Sequence, residues 1–166
     1  MRVRELNGLL AKYAALPARA ARLALAEPSA ALLAARMAAW VVALSLLVRL
    51  MPLPRALRLV APRRARRMAP RASGEGRDEG RVEERLARVL DSVLAADLWV
   101  FTPTCWKRAP VLHRYLALSG IETRILFGLR RDGDAAHAGH AWLEADGVPL
   151  LERTPPDYKI TYSYPR

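Results

Sequence analysis

Apolar residues recur at helical spacing along the chain up to Gly120 and at a spacing of two beyond it. Residues 29–50, "SAALLAARMAAWVVALSLLVRL", predict a strongly apolar helix, with Ser29 suited to cap its start. Val82, Leu86, Val89, Leu90, Val93 and Leu94 predict a second long helix, from Val82 to about Ala96, with one buried face. Glu84 and Arg88 stand one turn apart on it, in the favourable order. A third helix is expected after Thr104, its N-cap, with Ala109, Leu112, Leu116 and Ala117 as the buried stripe and Gly120 as the stop. Pro110 should bend that helix or loosen its first turn, because proline lacks the N–H that would bond one turn back.

After Gly120 the period changes. "IETRILFGLR" puts Ile121, Thr123, Ile125 and Phe127 on one side of a strand. "AHAGHAWLEAD" reads as a second strand and "VPLLE" as its return. Asp146–Gly147 between them is a strong two-residue hairpin signal. "YKITYSY" alternates as a fourth strand. Helices followed by an antiparallel sheet of about four strands make an α+β domain, with helices packed on a small sheet. An Ala/Leu/Arg-rich helical segment precedes it.

The intervening composition sets the expected organisation. "MPLPRALRLVAPRRARRMAPRASGEGRDEGR" holds four prolines and then a Gly/Ser/charge cluster. It reads as a linker that ends near Arg81, although Leu53, Leu57 and Val60 would suit a short basic amphipathic helix. The expected layout is a helical basic N-terminal segment over 1–68, a flexible linker over 69–81 and a folded domain over 82–166. Residues 1–27, interrupted by Pro17, suggest one or two short helices.

Charge changes this picture in one place. The chain carries a formal +11. No Asp or Glu occurs between Glu27 and Glu75, an interval with nine arginines. That basic segment suits an anionic surface or an acidic peptide, or it is simply solvated. Aromatic residues are not interleaved with it, which argues against single-stranded nucleic acid. The uncharged part of the apolar helix, Met37 to Val48, is twelve residues long. A membrane span needs about 20, so a buried or interfacial helix is expected. No apolar run with a cleavage site opens the chain, and a single cysteine excludes an internal disulfide. A cytoplasmic protein is expected, with the basic segment capable of peripheral contact at the inner membrane.

The candidate chemistry centres on "TPTCWKRAPVLHRY". Cys105 falls in the first turn of the third helix, where backbone N–H groups and the helix dipole favour a thiolate. Lys107 and Arg108 add positive charge nearby. A nucleophile needs a base, and the base needs an orienting group. His140 lies mid-strand. If the hairpin turns at 146 and 147, residue 140 pairs near residue 153, which brings Glu152 close to His140. Each residue also has a plainer reading: Cys105 and His140 as core groups, Glu152 as a surface acid. His137 and His140 would face opposite sides of their strand, so no closed metal set is visible. His113 reads as structural or exposed.

"CWKRAPVLHRYLALSGIETRILFGLRR" followed by "AGHAWLEADGVPLLE" resembles the transglutaminase-like domain of the lasso-peptide leader peptidases, a papain-like group of bacterial cysteine proteases. The match runs through Cys105, Arg108, Leu112 to Leu118, Gly120–Ile121 and His140–Ala141–Trp142. The Leu/Arg-rich stretch ahead of it also resembles the segment that precedes the domain in that family. The resemblance implies a catalytic triad of Cys105, His140 and Glu152 acting on a ribosomally made precursor peptide. It also implies a separate leader-recognition protein and an ATP-using macrolactam synthetase as partners. The family's third member is usually Asp; Glu152 occupies that place here, and Asp157 is the fallback. No cofactor is expected, and no P-loop pattern occurs. The alternatives are a transglutaminase-like acyltransferase and a non-catalytic peptide- or membrane-binding scaffold. The basic segment should serve substrate capture. Reversing the charge of Arg63, Arg64, Arg66 and Arg67 should therefore raise KM and leave kcat nearly unchanged in steady-state kinetics, whereas a collapse of kcat would refute that role.

Overall fold

The computed structural model describes residues 28–62, 76–95, 104–132, 136–152 and 154–165. The short helices expected within residues 1–27 and the arginine-rich arm from Arg63 to Arg71 lie outside the described residues. The described residues form four helices, α1 (Pro28–Leu50), α2 (Leu53–Val60), α3 (Gly76–Leu94) and α4 (Cys105–Leu118). Four strands follow: β1 (Arg124–Asp132), β2 (Ala136–Ala145), β3 (Val148–Leu150) and β4 (Lys159–Tyr164). They form one antiparallel sheet in the order β3-β2-β1-β4. The α+β class expected from the change of period is the class observed.

Two local expectations are corrected. Ser29 lies inside α1 instead of capping it. The segment 76–81, expected as linker, is the beginning of α3. Its Gly and charged residues resemble a linker in composition, but charged side chains also suit the exposed face of a helix. Pro110 lies inside α4 without ending it, and its ring is fully buried, so packing outweighs the lost backbone bond.

One core unites these elements. Met37, Val41 and Leu44 of α1 are fully buried, as are Leu90 of α3 and Leu116 of α4. They cluster with Ala56, Leu57 and Val60 of α2 and with Ile125, Ala141 and Leu143 of the sheet. The helices before residue 62 therefore share their interior with the part beyond residue 82. The α1 stripe comes from spacings of four and three, which put side chains on one helix face. By length and composition α1 is apolar enough to cross a membrane, but this stripe is embedded in protein.

Two arginines fix α4 among the other helices. Arg108 grips Asp91 of α3 with two hydrogen bonds, at 2.7 and 3.2 Å. Arg114 donates to the carbonyl of Val60 at 2.6 Å and stacks 3.9 Å from the ring centre of Trp40. The sequence suggests Arg108 as a charge near the cysteine; its guanidinium instead ties two helices together.

Met37→Ala and Leu112→Ala should each lower unfolding free energy by about 2–5 kcal/mol, the usual cost of a large-to-small change in a core. Urea unfolding followed by tryptophan fluorescence and by far-UV circular dichroism should give one coincident transition. Two separated transitions would mean two independent cores.

Candidate active site

Cys105 is the first residue of α4 and is half-buried. Thr104 before it has the extended backbone of an N-cap, as expected, but its side chain makes no capping bond. Its hydroxyl oxygen is buried without a partner. The carbonyl of Thr104 accepts the N–H groups of Lys107 and Arg108, each at 3.1 Å. The N–H groups of Cys105 and Trp106, one and two residues after the cap, have no carbonyl one turn back to bond. They are the donors that a helix start offers to an anion. Lys107 is buried, and desolvation together with the nearby Arg49 holds its pKa below the usual lysine range.

The hairpin behaves as its sequence predicts. Asp146 (φ 48°) and Gly147 (φ 81°) both adopt left-handed conformations, the requirement of a tight two-residue turn. The resulting register pairs Leu143 with Leu150. Leu151 is itself left-handed (φ 58°), an unfavourable state for a leucine, and the ladder ends there. Glu152 follows directly, and its Oε2 lies 3.3 Å from His140 Nε2. A carboxylate only accepts, so Nε2 is the donor in this contact, and in the neutral ring that leaves Nδ1 as the acceptor. The two side chains are 26% and 20% exposed, enough shelter for the contact to orient the ring.

Aromatic rings complete the setting of His140. Trp142, two residues along the strand, stacks on it at 5.8 Å and 13°. Tyr158 approaches at 5.2 Å. The Arg130 guanidinium lies 5.0 Å from the Tyr158 ring centre. Gly128 pairs with His140 across the sheet and leaves room for this group. A Cβ at 128 would lie 2.6 Å from Tyr158 Cβ and 3.0 Å from the Trp142 ring. Local sequence pattern does not point to Tyr158 or Gly128. Their only sequence signals are a glycine inside a strand and an aromatic just before β4.

Of the predicted triad, then, His140 and Glu152 are brought together. Cys105 packs at the edge of the helical core, while His140 stands on the face of β2 opposite Ala141 and Leu143. Among the described residues no hydrogen bond joins Cys105 Sγ to the imidazole. Asp157 is exposed and Glu152 takes the contact with His140. Asp146 serves its turn. The described residues contain no group of three or more His, Cys, Asp or Glu that could hold a metal ion. A cleft of about 540 Å³ opens at the other end of α4, lined by Ala117, Glu122, Arg124, Glu144 and others, and none of the three candidate residues lines it.

A family model of the transglutaminase-like superfamily matches residues 46–163, and the chain belongs to that superfamily. Its members are generally catalytic and work through a cysteine. No curated protein and no solved structure gives a significant match.

His113 is a structural residue. It is buried on α4, with Nδ1 2.8 Å from Thr123 Oγ1 and its ring edge-on to Tyr164. Burial pushes its pKa from 6.5 down to about 4. The folded state thus refuses a proton that the unfolded chain accepts. Stability should be intact above about pH 6.5 and fall as pH drops towards about 4, by up to about 3 kcal/mol. Urea midpoints measured across that range should show the fall in wild type and a flatter profile in His113→Gln. Equal slopes would refute the assignment.

Proposed function

We propose that this protein is a cysteine peptidase that removes the leader from a ribosomally synthesised precursor peptide of the lasso type. The His140–Glu152 contact is the observation that carries this reading. It holds the imidazole by Nε2 and leaves Nδ1 to act as a base, the orientation that a nucleophile–base pair requires. Membership of a cysteine-based superfamily supports the reading, and the likeness of the Cys105 and His140 blocks to leader peptidases narrows it to the substrate.

The chemistry follows from the roles. Nδ1 of His140 takes the thiol proton as Sγ of Cys105 attacks the carbonyl carbon at the leader–core junction. The Cys105 N–H donates to the oxyanion that forms. Collapse breaks the C–N bond, and the imidazolium protonates the departing amine of the core peptide. Water, deprotonated by Nδ1, then attacks the thioester and releases the leader as a carboxylic acid. Glu152 holds the ring in its tautomer throughout. The reaction needs Sγ within reach of Nδ1. Because α4 is packed on all sides and His140 stands on the other face of β2, it requires the strand pair carrying His140 to rearrange when substrate binds. A leader-recognition protein would present the peptide, and a macrolactam synthetase would consume the core. The superfamily assignment also accommodates acyl transfer, in which an amine replaces water as the acceptor.

Precursor peptide incubated with the protein and its recognition partner should yield a leader ending in a free carboxylate by mass spectrometry. Cys105→Ala and His140→Ala should abolish turnover, and Glu152→Gln should lower kcat by about a hundredfold or more, as loss of an orienting acid does elsewhere. Wild type should also be alkylated by iodoacetamide below neutral pH faster than His140→Ala. Turnover by Cys105→Ala would overturn the proposal, and a leader joined to an added amine would favour acyl transfer.

A further inference from the structure

The face of α1 that is turned away from the core is apolar. Leu32, Leu46 and Leu50 are 54%, 52% and 80% exposed, and Ala35 and Ala39 are exposed between them. Their spacing of three, four and seven residues places them on one side of the helix, opposite Met37, Val41 and Leu44. Only 17% of the helix's most apolar window is buried. A solvated helix would carry polar residues there. At about 3.6 residues per turn, Arg36 and Arg49 fall on opposite flanks of this stripe, and both are exposed. Two more exposed arginines, Arg55 and Arg58, follow on α2. No acidic residue lies anywhere between Glu27 and Glu75.

We propose that α1 docks in the plane of an anionic lipid surface, with Leu32, Leu46 and Leu50 entering the acyl boundary and Arg36 and Arg49 meeting the headgroups. An apolar face bordered by cations and free of carboxylates is the pattern of an interfacial helix. The helix does not span, because its other stripe is committed to the protein core. A second copy of this chain fits the face poorly: a two-fold contact would bring the same arginine-rich, acid-free segment against itself. Residues 1–27 carry five basic and two acidic residues, so they too have the wrong sign. Arg49 acts on Lys107, which places the C-terminal end of α1 beside the start of α4. A docked surface would therefore lie near Cys105. The inference does not depend on the peptidase reading.

The test is flotation of the full-length protein with phosphatidylcholine vesicles, with and without added phosphatidylglycerol. The protein should float with the anionic vesicles, weaken as salt is raised, and stay in solution with phosphatidylcholine alone. The double variant Leu46→Gln/Leu50→Gln should lose partitioning about tenfold or more, the loss expected for removing two inserted leucines. Its urea transition and its Cys105 alkylation should remain those of wild type, which separates a docking defect from misfolding. Absence of wild-type flotation would overturn the proposal. So would equal flotation of the double variant, because contact would then rest on the arginines alone. A wild-type dimer that the double variant converts to monomer, without lipid binding, would assign the face to a second copy instead. Binding that emerges only after residues 1–27 are removed would assign it to the chain's own N-terminal segment.

Discussion

The burial of α4 is the constraint on which the rest of this structure depends. From Ala109 to Leu116 nearly every side chain of that helix is buried, with α1, α2 and α3 around it and the sheet against it. A helix enclosed by so many neighbours cannot slide or rotate without opening cavities along its length. Its first residue, Cys105, inherits that rigidity. The arginine contacts at Asp91 and Val60 act at two heights along the helix and resist rotation as well as translation.

The sheet is held by a different and more local device. A two-residue turn with both residues left-handed sets the β2–β3 register, and that register places Glu152 beside His140. Helix and hairpin meet where α4 packs on β1 and β2. The nucleophile candidate thus belongs to the tightly packed part of the molecule. The candidate base and its acid belong to a strand pair whose register is set by the two left-handed turn residues.

What is legible in the sequence follows the same division. Asp146–Gly147 is a short-range signal, so the proximity of residues 140 and 152 can be read from the turn residues alone. The helical period of 82–94 and the break at Gly120 are equally local. That α3 includes 76–81 is hidden because glycine and charge suit a linker as well as an exposed helix face. Arg108 and Asp91 are seventeen residues apart and on different helices, so only packing reveals their pairing. The rings around His140 are hidden for a similar reason. Tyr158 reaches it across a register shift between Phe127 and Gly128, which a strictly alternating reading of β4 does not foresee.

The glycine at 128 carries a consequence for how sequences related to this one can vary. The space over that residue is filled by the Tyr158 backbone-proximal carbon and by the Trp142 ring, neither of which can swing aside as a flexible side-chain tip would. Positions 128 and 158 are therefore coupled. A chain that acquires a side chain at 128 must move the backbone at 158 away, because the carbon it would meet is carried by every residue but glycine, and one wall of the imidazole's enclosure moves with it. Within an aligned set of relatives, position 128 would accordingly stay glycine wherever the segment ahead of β4 runs this close to β1, whichever side chain stands at 158.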